Sequence, residues 1–165
     1  MIKILLTFLL LFSAPSLLQA YGLEDLNNDA ANHVAPKDIQ SAMQQFVRSD
    51  LQDCIKQIGA ANLENYFSAI EISIDMQGRK AFLVFPSEYC YAFFGAHAIA
   101  YWIIIDDTPN GYRLLYEGRS DGLEIMATYT KGMKDIQSFY GMTYIILKFD
   151  GKKYERVGGG EFDKN

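Results

Sequence analysis

Two patterns of apolar positions divide the chain. Between Pro36 and Gly59, the residues Ile39, Met43, Phe46 and Val47, then Leu51, Cys54, Ile55 and Ile58, recur at intervals that line one face of an α-helix. Pro36 suits a first helical turn, Asp38 complements the positive start of a helix and Gly59 provides a stop, so helices are predicted over 37–48 and 50–58. After Asn65 the period drops to two and aromatic and β-branched residues dominate. Strands are predicted over 68–75, 80–85, 101–106, 112–116, 123–130, 144–149 and 153–157, separated by clusters of Gly, Asn, Asp, Ser and Pro. Connections this short require antiparallel neighbours, because a parallel crossover needs about a dozen residues or more. The one later segment long enough for a helix is 133–140. The expectation is an α+β fold in which one or two N-terminal helices pack on a single meandering antiparallel β-sheet of five to seven strands.

The first residues follow a different rule. Lys3 precedes the apolar run Ile4 to Phe12, and the segment closes on the small-residue site Leu18-Gln19-Ala20. This is the layout of a secretory signal peptide over 1–20, with cleavage expected before Tyr21. Its apolar core is about nine residues, too short for a membrane-spanning helix of about twenty. Residues 21–36 lack a repeating apolar face and are expected to form a loose N-terminal arm. A single α+β domain is expected over 37–157, and Gly158-Gly159-Gly160 opens an expected flexible tail over 158–165. The reading places the protein in the periplasm or outside the cell, soluble, with no membrane attachment once the leader is gone. In such an oxidising space Cys54 and Cys90 either form a disulfide or remain as two buried thiols.

Charge narrows the partners. The chain carries a net charge of −5, or −6 without the leader's Lys3. That disfavours phosphate backbones and anionic lipid, so no nucleic-acid partner is expected, while a basic partner is permitted. The two histidines give little support to catalysis. His33 lies in the expected arm, and His97 lies in Phe93-Phe94-Gly95-Ala96-His97-Ala98 without a serine or cysteine in a nucleophile-type turn nearby. Glu64, Glu71, Glu88, Glu117 and Glu124 are scattered, the cysteines lack metal-ligand spacing, and Gly158 to Gly160 are followed by no Lys-Ser/Thr. No enzyme activity, cofactor or metal is therefore expected. The aromatic run Tyr89, Tyr91, Phe93, Phe94, Tyr101 and Trp102 has no interleaved Arg or Lys, which leaves either a sandwiched core or a protein-binding face.

From Ile72 to Tyr154 the chain resembles a group of uncharacterised exported bacterial small β-rich domains. The likeness is carried by Asp75-Met76-Gln77-Gly78-Arg79-Lys80, Tyr89 to His97, Tyr101 to Ile105, Asn110 to Leu115 and Phe149-Asp150-Gly151-Lys152-Lys153-Tyr154. In that group the first turn has a calcium-like acidic pattern; here Gln77 and Arg79 stand in place of two oxygen ligands, and Phe94 and Ile99 stand where a bracketing cysteine pair would. The Gly95-Ala96-His97 loop is similar to that of the periplasmic inhibitors of vertebrate-type lysozyme, which present a loop histidine to the enzyme's cleft. The likeness points at Gly95, Ala96 and His97; because interface hot spots favour aromatic anchors beside an exposed turn, the expected partner-binding set is His97, Phe93, Phe94, Gly95, Tyr91 and Trp102. The functional expectation is an exported soluble binding protein, an inhibitor or immunity-type antagonist of a toxin or a basic envelope or cell-wall hydrolase. The alternatives are a small-ligand-binding or enzymatic domain with an aromatic-lined pocket, and a structural envelope component.

Overall fold

A computed structural model describes residues 19–23, 26, 29–59, 65–87, 89–95 and 98–162. Among them are two α-helices, α1 (Lys37–Phe46) and α2 (Arg48–Ile58), with Gly59 ending α2 at a φ of +84° that favours glycine. Nine strands follow the order β1 (Gln19–Gly22), β2 (Phe67–Ile72), β3 (Ala81–Pro86), β4 (Ile99–Asp106), β5 (Tyr112–Ser120), β6 (Gly122–Thr130), β7 (Met133–Tyr140), β8 (Thr143–Phe149) and β9 (Tyr154–Glu161). Every strand pairing is antiparallel, as the short connections require.

The single sheet is corrected to two: a four-stranded sheet in the order β2-β3-β4-β5 and a five-stranded sheet in the order β1-β6-β7-β8-β9. The cause lies in β3 and β4, which are apolar at nearly every position rather than at alternate ones. Such strands need cover on both faces. On one face Leu83, Tyr101, Ile103 and Ile105 meet Leu123, Ile125, Ile136 and Leu147 of the second sheet. On the other, Val84, Ala100, Trp102 and Ile104 pack against Ile39, Met43, Leu51 and Cys54 of the helices. The result is three layers, with the four-stranded sheet in the middle.

The chain passes between sheets at Ser120-Asp121-Gly122. Fully buried Ser120 ties that corner: its hydroxyl accepts from the backbone N–H groups of Gly122 and Phe139, both at 3.1 Å. A Cβ on Gly122 would lie 2.8 Å from the Tyr21 carbonyl, so the crossing depends on glycine there. The segment 133–140 is strand, not helix; its buried Asp135 and Ser138 interrupt the apolar alternation. Asp135 is served by the Thr128 hydroxyl at 2.8 Å and by Lys148 at 3.5 Å.

Both expected loose ends carry structure. Tyr21 and Gly22 pair with Leu123 and Gly122, Leu23 is fully buried, and Ala30–His33 forms a 3-10 turn whose Ala30 carbonyl accepts from the Ser68 hydroxyl at 2.9 Å. At the other end Gly158 to Gly160 pair with Ile146 to Tyr144 in β9 rather than forming a tail. The expected leader lies outside the described residues apart from Gln19 and Ala20, which open β1, so the expected cleavage point falls within that strand. Among the described residues no helix is long and apolar enough to cross a membrane.

A polar chain closes one end of the sandwich. Asp75 Oδ2 accepts from Arg79 Nε at 2.6 Å, Arg79 reaches Asp107 at 3.7 Å and Arg113 reaches the same Asp107 at 3.5 Å. The guanidinium of Arg79 thus occupies the charge-compensating role that a cation has in an acidic turn. Burial alone would raise the Asp75 carboxyl, but its hydrogen bond to Arg79, the backbone N–H groups of Gln77 and Arg79 and the Arg79 charge outweigh burial and hold it below the ordinary range. A carboxyl depressed in the folded state stabilises the fold above its unfolded value of about 4, and that contribution disappears as pH falls through the folded value. Urea denaturation between neutral and acid pH is therefore expected to show a steeper acid-side loss of stability for the native chain than for Asp75→Asn. Parallel curves would exclude Asp75 as a source of that loss.

Candidate functional site

The segment leading into β4 is fixed by contacts on several sides. Cys90 is bonded to Cys54 of α2, with a Cα separation of 5.5 Å across 36 positions of sequence. In the chain-entropy account, closing a loop of that length contributes about 4 kcal/mol. The Cys90 carbonyl accepts from the N–H groups of Phe93 and Phe94, each at 2.9 Å, which winds the chain into a tight turn. Gln57 Oε1 of α2 accepts from Tyr91 N at 3.1 Å, and Arg119 of β5 donates to the Ala92 carbonyl. Gly95 N to Ala98 O, Ala100 N to Phe93 O and a bridge between Phe94 and Ile99 join the turn to β4.

The turn sorts its aromatic residues to opposite sides. Phe93 points inward and is 1% exposed. Its ring lies edge-on to Trp102 at 5.1 Å, close to Tyr66 and Phe67, and Phe67 lies edge-on to the same indole at 5.7 Å. Tyr89 and Tyr91 flank the inward Cys90 and point outward, 53% and 75% exposed. Their rings stand 5.4 Å apart at 78°, and half-buried Phe94 lies 5.0 Å from Tyr89. The displayed face is a cluster of three rings on a backbone held by a covalent bond.

This revises the expected contact set. Tyr91, Phe94 and Gly95 lie on the accessible side of the turn. Phe93 and Trp102 do not, because both are sealed in the core beneath the helices. His97 lies outside the described residues. Sequence reasoning left Tyr89 out of the set and missed the bracing residues Gln57 and Arg119. The signal for Tyr89 is the Tyr-Cys-Tyr spacing: once Cys90 is pinned inward, its neighbours face outward. Nothing in the sequence marks Gln57 or Arg119, whose roles depend on the folded packing.

Among the described residues no group of three or more His, Cys, Asp or Glu is placed to hold a metal ion. Comparison with protein-family models, with curated proteins and with solved structures gives no match for this chain.

Anchor and display residues make opposite energetic demands. Phe93→Ala should cost about 3 to 5 kcal/mol, the usual loss for a buried aromatic ring, whereas Tyr91→Ala should change stability by less than about 0.5 kcal/mol. Chemical denaturation of both variants checks this. Equal losses would mean that the two rings do not divide into anchor and display.

Proposed function

We propose that the chain is an exported, non-catalytic protein that binds and masks a basic protein partner, an envelope or cell-wall hydrolase of the lysozyme type or a toxin, through the turn that carries Tyr89, Tyr91 and Phe94. The observation that carries this reading is the exposed Tyr89–Tyr91 pair on a turn braced by the Cys54–Cys90 bond. Tyr is enriched at interfaces and among the residues that carry their binding energy, and here two exposed tyrosines and Phe94 lie in one contiguous cluster. Bracing matters because a turn already in its bound shape loses little conformational freedom on binding.

Charge supports the same kind of partner. The described part of the displayed turn, Tyr89 to Gly95, contains no charged residue, so the rings supply contact while the net charge of −5, or −6 without the leader's Lys3, speeds encounter with a basic protein. The disulfide fits an oxidising compartment, and with the apolar leader it supports placement in the periplasm or outside the cell. His97, in the same turn by sequence, is assigned a hydrogen bond to an acidic group of the partner, in line with the likeness to lysozyme inhibitors.

The test is affinity and inhibition measured together. Against a panel of basic cell-wall hydrolases that includes a vertebrate-type lysozyme, the native chain should bind and inhibit at least one. Tyr89→Ala and Tyr91→Ala should each weaken that binding about ten- to a hundredfold, as loss of an interface anchor does, while the melting temperature moves by no more than a few degrees. Binding that is unchanged in both variants, or an entire panel left unbound and uninhibited, overturns the reading.

A further inference from the structure

The five-stranded sheet has one inner and one outer face. Leu123, Ser138 and Ile145 form a cross-strand row turned toward the four-stranded sheet, where the Tyr101 hydroxyl donates to Ser138 Oγ at 3.1 Å. Successive side chains alternate between faces. The neighbouring rows Gly22–Gly122–Phe139–Tyr144–Gly160 and Ala20–Glu124–Gln137–Ile146–Gly158 therefore lie on the outer face, on the opposite side of the stack from the helices and the aromatic turn. Their apolar members Phe139, Tyr144 and Ile146 belong to neither hydrophobic core. Each row crosses five strands, about 19 Å at the usual strand spacing. Gly22, Ala20, Gly160 and Gly158 stand at the ends of the rows, so the flanks of this face are low and side chains rise only along its middle.

Three rings meet on this face. A Cβ on Gly160 would stand 3.1 and 3.2 Å from two ring carbons of Tyr144, and on the other side a Cβ on Gly122 would stand 3.7 Å from Phe139 Cδ2. The Tyr144 ring thus lies across a bare stretch of backbone, as an aromatic residue does when it covers a cross-strand glycine, and turns its other side outward. Phe162, 41% exposed, completes the cluster: its ring centroid is 5.2 Å from that of Tyr144 and 5.8 Å from that of Phe139, and its N–H donates to the Met142 carbonyl at 2.8 Å. In the next row Glu124 and Gln137 stand directly opposite one another. Both are half-buried, and among the described residues neither side chain has a hydrogen-bond or ion-pair partner. The two rows hold one carboxylate, one amide and no cation.

We infer that this face binds a neutral β-linked glycan chain, with pyranose rings stacked on Tyr144, Phe139 and Phe162 and hydroxyls met by Gln137 and Glu124. A pyranose with equatorial substituents carries its axial C–H bonds on two flat faces and its hydroxyls at the rim. The C–H bonds are drawn to the negative face of an aromatic ring. The amide both donates to and accepts from hydroxyls, and the carboxylate accepts from them. Charge decides against other polymers, because rows with a carboxylate and no cation repel nucleic acid, anionic lipid and acidic polysaccharide. A cationic peptide would use only the rings and Glu124 and leave the Gln137 amide unmet. An extended neutral sugar chain uses the rings, the amide and the length of the rows together.

Titration of the isotope-labelled full chain with chitotetraose and with cellotetraose, followed by NMR, tests the inference. At least one of the two should shift the backbone amides of Gly122, Phe139, Tyr144 and Gly160 and the side-chain amide of Gln137, with half-saturation below about 5 mM. The amides of Phe93 and Phe94 should stay in place, since the aromatic turn lies on the other side of the molecule. Phe162→Ala and Gln137→Ala should each weaken binding at least about fivefold. Both positions lie outside the two cores, so the fold persists, which the unchanged remainder of each spectrum will report. No saturable shift from either sugar by about 20 mM, or two variants that bind as well as the native chain, overturns the inference. A tetra-arginine peptide that shifts the same amides at lower concentration than either sugar also overturns it, and marks the face as a site for a basic protein instead.

Discussion

Everything else in this structure depends on one constraint, the burial of β4 on both faces. Residues Ala100 to Ile105 are all buried, alternating between an interface with the second sheet and an interface with the helices. A strand so placed cannot lie at a solvent surface, so the chain needs two separate covers. The helices supply one and β6 to β9 the other. Each covering layer then has only one apolar face to hide, which explains why α1 and α2 are amphipathic while β4 is not.

That difference decides what the sequence reveals. The helices were legible because a half-buried helix has a single stripe: Ile39, Met43 and Leu51 are buried as their spacing implies, while Phe46 and Ile55 lie at its margin and are half-buried. The antiparallel pairing was legible from loop lengths. The division into two sheets was not, because β5 and β6 are joined by a single residue, and so short a connection normally makes neighbours of the strands it joins. Here it instead turns a corner that Ser120 holds from within. The uninterrupted apolar run of β4 carried the warning, since a strand with one wet face alternates. Gly158 to Gly160 misled for a related reason: glycine reads as tail, yet β9 uses it to run flat against β8 under the ring of Tyr144.

The candidate site was half legible. That a turn rich in aromatic residues precedes β4 is plain from sequence, but Phe93 and Phe94 are chemically identical neighbours, and only the direction imposed at Cys90 decides which is buried. Fixing Cys90 to Cys54 drives Phe93 toward Trp102 and turns Tyr89 and Tyr91 outward. The display is therefore built outward from the core: Trp102 on β4 seats Phe93, Phe93 seats the turn, and the turn presents the tyrosines. Arg119 of β5 braces this turn from the neighbouring strand through the Ala92 carbonyl.

The claim at the centre of this account is that the aromatic turn is preformed and that the disulfide keeps it so. Native-state hydrogen exchange at Phe93, Phe94, Gly95 and Ala100, whose N–H groups are all committed to backbone carbonyls, tests it most directly. With Cys54 and Cys90 bonded, these amides should exchange nearly as slowly as those of β4. In a Cys54→Ser, Cys90→Ser chain that still folds, Phe93, Phe94 and Gly95 should lose most of that protection while β3 and β4 keep theirs. Rapid exchange across the turn in the bonded protein, or equal protection with and without the bond, would contradict the account.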